Sequence, residues 1–173
     1  MRGLVHLYCG DGKGKTTAAM GLVLRFAGHG KTVCVVQFLK NSPSGEIVAL
    51  ERMPGVTVLR GKAGAPFTFA MTEEERRRTR EIHDEKFRRA CRIAEDGCAL
   101  LVLDEAVGAL RMGLLDRQAV LAFLDHRPEN LEIVLTGRGP DAALLERADY
   151  ITEMKKQKHP FDTGVAAREG VEY

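Results

Sequence analysis

Gly10-Asp11-Gly12-Lys13-Gly14-Lys15-Thr16-Thr17 follows directly on the apolar run Leu4-Val5-His6-Leu7-Tyr8-Cys9. A glycine-rich loop between a strand and a helix is a phosphate-binding loop, and its ligand is a nucleoside triphosphate with a divalent metal. Glycines allow positive φ and close approach to the phosphates. The backbone N–H groups form an anion nest, reinforced by the N-terminus of the helix that follows. Lys15 adds a point charge and Thr16 a hydroxyl for Mg²⁺, so residues Gly10 to Thr17 are the expected nucleotide site. The usual spacing is Gly, four residues, then Gly-Lys-Ser/Thr. Here the first-glycine position holds Cys9, and the loop is one residue short. A chance Lys in a Gly-rich turn is the plainer reading. The strand before, the helix after and the Gly-Lys-Thr-Thr sequence weigh against it.

Working outward, Thr17, Ala18, Ala19, Met20, Leu22, Val23, Leu24 and Phe26 support a helix over 15–27, and Gly28 and Gly30 supply its stop. Val33 to Leu39 is a second continuous apolar run, as expected for a strand buried on both faces. Residues 41–46 read as a loop and Val56 to Leu59 as a short strand; residues 61–71 read as an ordered loop. Thr72 to Asp96 reads as a long helix with a Thr72/Glu75 capping box and Glu73/Arg77 and Glu74/Arg78 pairs. Its Arg76-Arg77-Arg78 cluster is matched by acidic neighbours, so a solvated face is preferred to a nucleic-acid surface. Ala99 to Leu103 is a strand, Asp116 to His126 a helix, Glu132 to Leu135 a strand, 141–148 a short helix and Tyr150 to Met154 the last strand. The tail from Lys155 shows no clear period.

Strands alternating with helices predict an α/β fold: one RecA-like P-loop domain over 1–173, a mostly parallel sheet with helices on both faces. Ligands of such sheets sit at the carboxyl ends of the strands. Asp104-Glu105, at the end of the run Leu100-Leu101-Val102-Leu103, has the form of a Walker B segment. Asp104, Glu105 and Thr16 are therefore the expected metal-side residues, for Mg²⁺ or Mn²⁺. Arg138, in Thr136-Gly137-Arg138-Gly139, falls on the same edge and has the chemistry to bind phosphate oxygens bidentately. Lys15, Glu105 and Arg138 are the candidate catalytic residues.

Composition narrows the class. The chain has 173 residues, 45% hydrophobic, enough for one domain with a sizeable core. Net charge is +2, which gives no argument for nucleic acid. Cys9, Cys34, Cys91 and Cys98 show no Cys-x-x-Cys pairing, and reduced thiols in a cytoplasmic protein are expected. No apolar stretch has membrane-spanning length, no signal peptide is evident, and the first strand is expected to begin without an N-terminal extension.

Taken together, these segments resemble the ATP:corrinoid adenosyltransferases that carry a phosphate loop. The family's short loop matches Gly10 to Thr17, so the shortfall is a family mark. Val35 to Lys40, Gly64 to Phe69, Leu103 to Glu105, Arg127 to Glu129 and Thr136 to Gly139 match further motifs, as do Lys158 to Gly164 and the ending Gly170 to Tyr173. The resemblance covers nearly the whole chain.

It implies that a Co(I) corrinoid attacks the 5′ carbon of ATP and that triphosphate leaves. It implies ATP and a corrinoid as substrates, a reductase or flavoprotein as electron donor, and a homodimer. It implies corrinoid contacts by Phe67 and Phe69, aromatics that exclude the lower axial ligand of cobalt. This chain has Phe69 where the family commonly has Trp, and it contains no Trp. Many relatives carry an N-terminal segment that this chain does not show. Two other readings stay open: a RecA-like ATPase or kinase that releases ADP, and a non-catalytic corrinoid or nucleotide carrier.

Overall fold

In a computed structural model of the chain, residues 2–40, 44–61 and 71–172 are described. Six strands form one sheet: β1 (Val5–Cys9), β2 (Val33–Gln37), β3 (Val56–Leu59), β4 (Leu100–Asp104), β5 (Glu132–Thr136) and β6 (Tyr150–Glu153). Their order is β3-β2-β4-β5-β1-β6, and every pairing is parallel. The helices are α1 (Lys15–Gly28), α2 (Gly45–Leu50), α3 (Glu73–Glu95), α4 (Ala106–Arg111), α5 (Arg117–His126) and α6 (Ala142–Arg147). A 3₁₀ turn, Pro160–Thr163, lies in the tail.

The two faces of the sheet are sorted by the period of two along each strand. Cys34, Val36, Leu101, Leu103, Ile133 and Leu135 point to the face covered by α3, α4, α5 and α6. Val33, Val35, Leu100, Val102 and Val134 point to the face covered by α1 and α2. β2 and β4 are buried at every position, the continuous apolar pattern of strands covered on both sides. Edge strand β6 is exposed along its whole length.

Most sequence boundaries hold to within a residue or two. The differences have local causes. β2 stops at Gln37 rather than Leu39, because Leu39 turns the chain with φ 53°. β4 runs one residue further than expected and takes Asp104 into the sheet. The expected loop over 41–46 gives way to a helix beginning at Gly45, and α4 was not anticipated. Both helices have six residues, too few to show a period. The Thr72/Glu75 capping box forms, but Arg77 pairs with Glu74 at i,i+3 rather than with Glu73. All four cysteines are free, and Cys9, Cys34 and Cys98 are buried. No helix among the described residues is long and apolar enough to cross a membrane.

Candidate active site

The glycine loop connects β1 to α1 at the carboxyl edge of the sheet. Gly10 and Gly14 have φ 98° and 108°, so both need glycine for conformation. Gly10 and Gly12 also meet the chain itself. A Cβ on Gly12 would lie 2.7 Å from the Met154 carbonyl oxygen, and one on Gly10 would clash with the same peptide. The Gly12 N–H donates to that carbonyl at 2.7 Å. These two glycines admit the chain leaving β6, a role distinct from the phosphate approach expected of them. A Cβ on Gly14, the N-cap of α1, would meet only the Met154 sulfur, at 3.8 Å.

Asp104 is the hub of the site. It is fully buried, and four side chains donate to its carboxylate. Thr16 and Thr136 hydroxyls each donate to Oδ1 at 2.8 Å. The Gln37 amide donates to Oδ2 at 3.2 Å, and the Lys40 ammonium donates to Oδ2 at 3.0 Å. Lys40 Nζ also donates to Thr16 Oγ1 at 2.7 Å. A buried carboxylate is tolerated only when paired and hydrogen-bonded, and this one is both. The adjacent Glu105 is held by its backbone: its N–H donates to Thr136 Oγ1 at 2.9 Å, and its φ is 59°. Gly108 leaves room for this turn; a Cβ there would sit 3.1 Å from Leu39 Cδ1 and 3.5 Å from Glu105 Oε2.

A cleft of about 630 Å³ opens in front of this cluster. The loop from Asp11 to Thr17 lines it together with Lys40, Glu105 and Arg138. Thus Lys15, Thr16, Glu105 and Arg138 come together from three strand ends, with Asp104 behind them. Gly10 sits outside the lining, against Met154. Phe67 and Phe69 lie outside the described residues. Lys15 is buried, and its ammonium folds back onto the Gly12 carbonyl at 2.6 Å. Burial first, and then the Arg138 guanidinium, push the Lys15 ammonium below its ordinary range. This is an environment that favours arrival of an anion.

The tail closes one side of the cleft, which its lack of period did not reveal. His159, Gly170, Val171 and Glu172 all line it. Lys13 Nζ donates to the Val171 carbonyl at 2.7 Å, and the Lys156 N–H donates to Asp11 Oδ1 at 2.9 Å. That hydrogen bond is the main cause lowering the Asp11 carboxyl below its usual range. His159 caps the 3₁₀ turn through Nδ1, and Asp162 pairs with Lys156 at 3.0 Å, so the matched tail residues fix the tail's own shape.

Sequence reading missed three residues that hold Asp104 or its neighbours: Gln37, Lys40 and Thr136. All three sit in segments quoted for the resemblance, so a signal existed. Their roles depend on parallel register, which pairs Gln37 with Asp104 across β2 and β4.

The donor set suits a hard cation. Thr16 and Asp104 offer oxygens at the lip of a phosphate loop. No group of three or more His, Cys, Asp and Glu poised to hold a metal occurs among the described residues. A Mg²⁺ ion needs none, because it takes one or two carboxylates and fills its shell with water and substrate phosphates.

Comparison with known proteins points to one family. The family described as ATP:corrinoid adenosyltransferase BtuR/CobO/CobP matches residues 1–173. A corrinoid adenosyltransferase of Pseudomonas aeruginosa is 38% identical over 99% of this chain and 84% of its own length. One of Escherichia coli strain K12 is 36% identical over 99% of this chain and 86% of its own. The corrinoid adenosyltransferase CobA of Salmonella typhimurium is 35% identical with the same coverage. With a phosphate loop, a buried Asp104 beneath it and a match that spans every residue, this chain belongs to the ATP:corrinoid adenosyltransferase family.

Proposed function

We propose that the chain transfers the 5′-deoxyadenosyl group of ATP to the Co(I) of a reduced corrinoid. The cobalt electron pair forms a bond to C5′, the C5′–O bond breaks, and its electrons leave with inorganic triphosphate. The observation that carries this reading is the Thr16–Asp104 hydrogen bond at the head of a cleft that Lys15, Glu105 and Arg138 also line.

The roles follow from charge and place. The loop N–H groups from Lys13 to Thr17 hold the triphosphate, and Lys13, Lys15 and Arg138 neutralise the charge that develops as it departs. Thr16 and Asp104 hold the divalent ion, with Glu105 beside them. When bound, Mg²⁺ or Mn²⁺ adds a Lewis acid on the phosphate oxygens. No residue needs to act as a base, because the nucleophile is the substrate's own metal. Holding C5′ in line with cobalt supplies the remaining acceleration by proximity.

Phe67 and Phe69 are proposed to cover the lower face of the corrinoid. Phe69→Ala is then expected to impair reduction of Co(II) far more than reaction with preformed Co(I), read by the cobalt absorption bands. Equal losses in the two assays would refute the assignment. From the resemblance we also propose a flavoprotein or other reductase as electron donor, a homodimer, a cytoplasmic site of action, and residues 1–173 acting as one domain.

The test is anaerobic incubation of the protein with ATP, Mg²⁺ and chemically reduced corrinoid. A light-sensitive Co–C bond is expected to appear catalytically, and Asp104→Asn is expected to abolish it. Tight binding of both substrates without turnover would make the protein a carrier.

A further inference from the structure

The geometry points to Lys40 as a resident cation: its ammonium occupies the divalent-metal position between Thr16 and Asp104, and Mg²⁺ must displace it to bind. This rests on the assignment of Thr16 and Asp104 to the metal.

Three observations converge. Lys40 Nζ bridges Thr16 Oγ1 at 2.7 Å and Asp104 Oδ2 at 3.0 Å, the two oxygens expected to face the ion. It is the one ion-pair partner of Asp104 among the described residues, and Asp104 is 0% exposed. A buried carboxylate without a counter-charge is costly, so without metal the pocket needs a cation. Lys40 supplies it from the chain.

The backbone delivers Lys40 to this place. Leu39 adopts φ 53°, unusual for a non-glycine residue, and turns the chain sharply after β2. The Lys40 N–H bonds back to the Phe38 carbonyl, and the Phe38 N–H donates to the Asp104 carbonyl at 3.0 Å. Gly108 gives the Leu39 side chain its space. The turn returns a long lysine side chain to the head of the cleft, where it is one-third exposed.

Metal and ammonium therefore compete for the same two oxygens. The consequence is an order of events. Metal alone binds poorly, because it must expel a cation from a buried carboxylate. Metal arriving with a triphosphate binds well, because the displaced ammonium moves toward the phosphates. Asp104 stays paired throughout, and the site does not trap free divalent ions.

Two measurements on the intact protein test this. The first titrates Mn²⁺, without nucleotide, into wild type, Lys40→Met and Lys40→Met/Asp104→Asn, read by electron paramagnetic resonance of free Mn²⁺. Lys40→Met is expected to bind about ten-fold tighter than wild type, since a like charge has been removed from the position. Unchanged or weaker binding would overturn the proposal. If Lys40→Met/Asp104→Asn binds Mn²⁺ as tightly as Lys40→Met alone, the assignment of Asp104 to the metal is what fails.

The second measurement needs no variant, so it stands even if Lys40→Met does not fold. The rate of acylation of the Lys40 amine in wild type is mapped by peptide mass spectrometry with and without Mn²⁺. Displacement predicts a several-fold rise at saturating Mn²⁺. An unchanged rate would mean that Lys40 is a fixed counter-ion that never leaves.

Discussion

Asp104 shows how one side chain organises a site: it sits at the end of a central strand, has no exposure, and receives four donors. Its fixed carboxylate holds the Thr16 hydroxyl at the head of the cleft. Lys15 stands on the other side, buried, its charge directed at its own loop carbonyl until an anion arrives. Lys15→Ala removes that charge, and the rate of adenosyl transfer is expected to fall by about a hundred-fold or more, as when one preorganised group is lost from a charged transition state. Activity near that of wild type would count against the loop assignment. The residue types at this site were readable: Lys15, Thr16, Asp104, Glu105 and Arg138 were all named from sequence and all meet at one cleft or just behind it. Lys40 was not read as a site residue because its place depends on a turn at Leu39 that no residue type announces.

At the scale of the element, α3 carries two testable features. Thr72 accepts from the Glu75 N–H while the Glu75 carboxylate accepts from the Thr72 N–H, a complete capping box. Thr72→Ala is expected to cost about 1 kcal/mol, read by chemical denaturation, with activity little changed. Further along, His83 is buried and its Nδ1 pairs with the Leu114 carbonyl at 2.9 Å. Burial, and then the nearby Lys86 ammonium, push its pKa down to about 4. The unfolded chain therefore takes up this proton first as pH falls. Stability from this group is full above about pH 6.5 and is lost between there and about pH 4, on the order of 3 kcal/mol. His83→Gln is expected to lose clearly less stability than wild type between pH 7 and pH 4.5. An equal loss in both would show that His83 is not responsible. Long elements such as α1 and α3 were legible because several turns repeat one pattern. The six-residue helices α2 and α4 repeat too little to be read, and they lack the capping Asp side chain that starts the equally short α6, although α4 begins directly after Asp104 and Glu105.

For the whole molecule, the sheet order brings the ends of β1, β4 and β5 to one edge, with β2 beside β4. The parallel sheet was expected from strands alternating with helices, but this strand order was not, and it brings the glycine loop, Glu105 and Arg138 to one cleft. The tail was the unreadable part. Its contacts with the glycine loop, Val171 to Lys13 and Lys156 to Asp11, join positions far apart in sequence and involve backbone atoms that any residue supplies. On the proposed function, the whole arrangement holds a triphosphate as a departing group instead of passing on one phosphate. The most direct measurement of that claim is phosphorus NMR of the products formed from ATP, with and without a reduced corrinoid. One inorganic triphosphate is expected for each adenosylated corrinoid, and no release without corrinoid. Steady release of ADP in the absence of corrinoid would contradict the account.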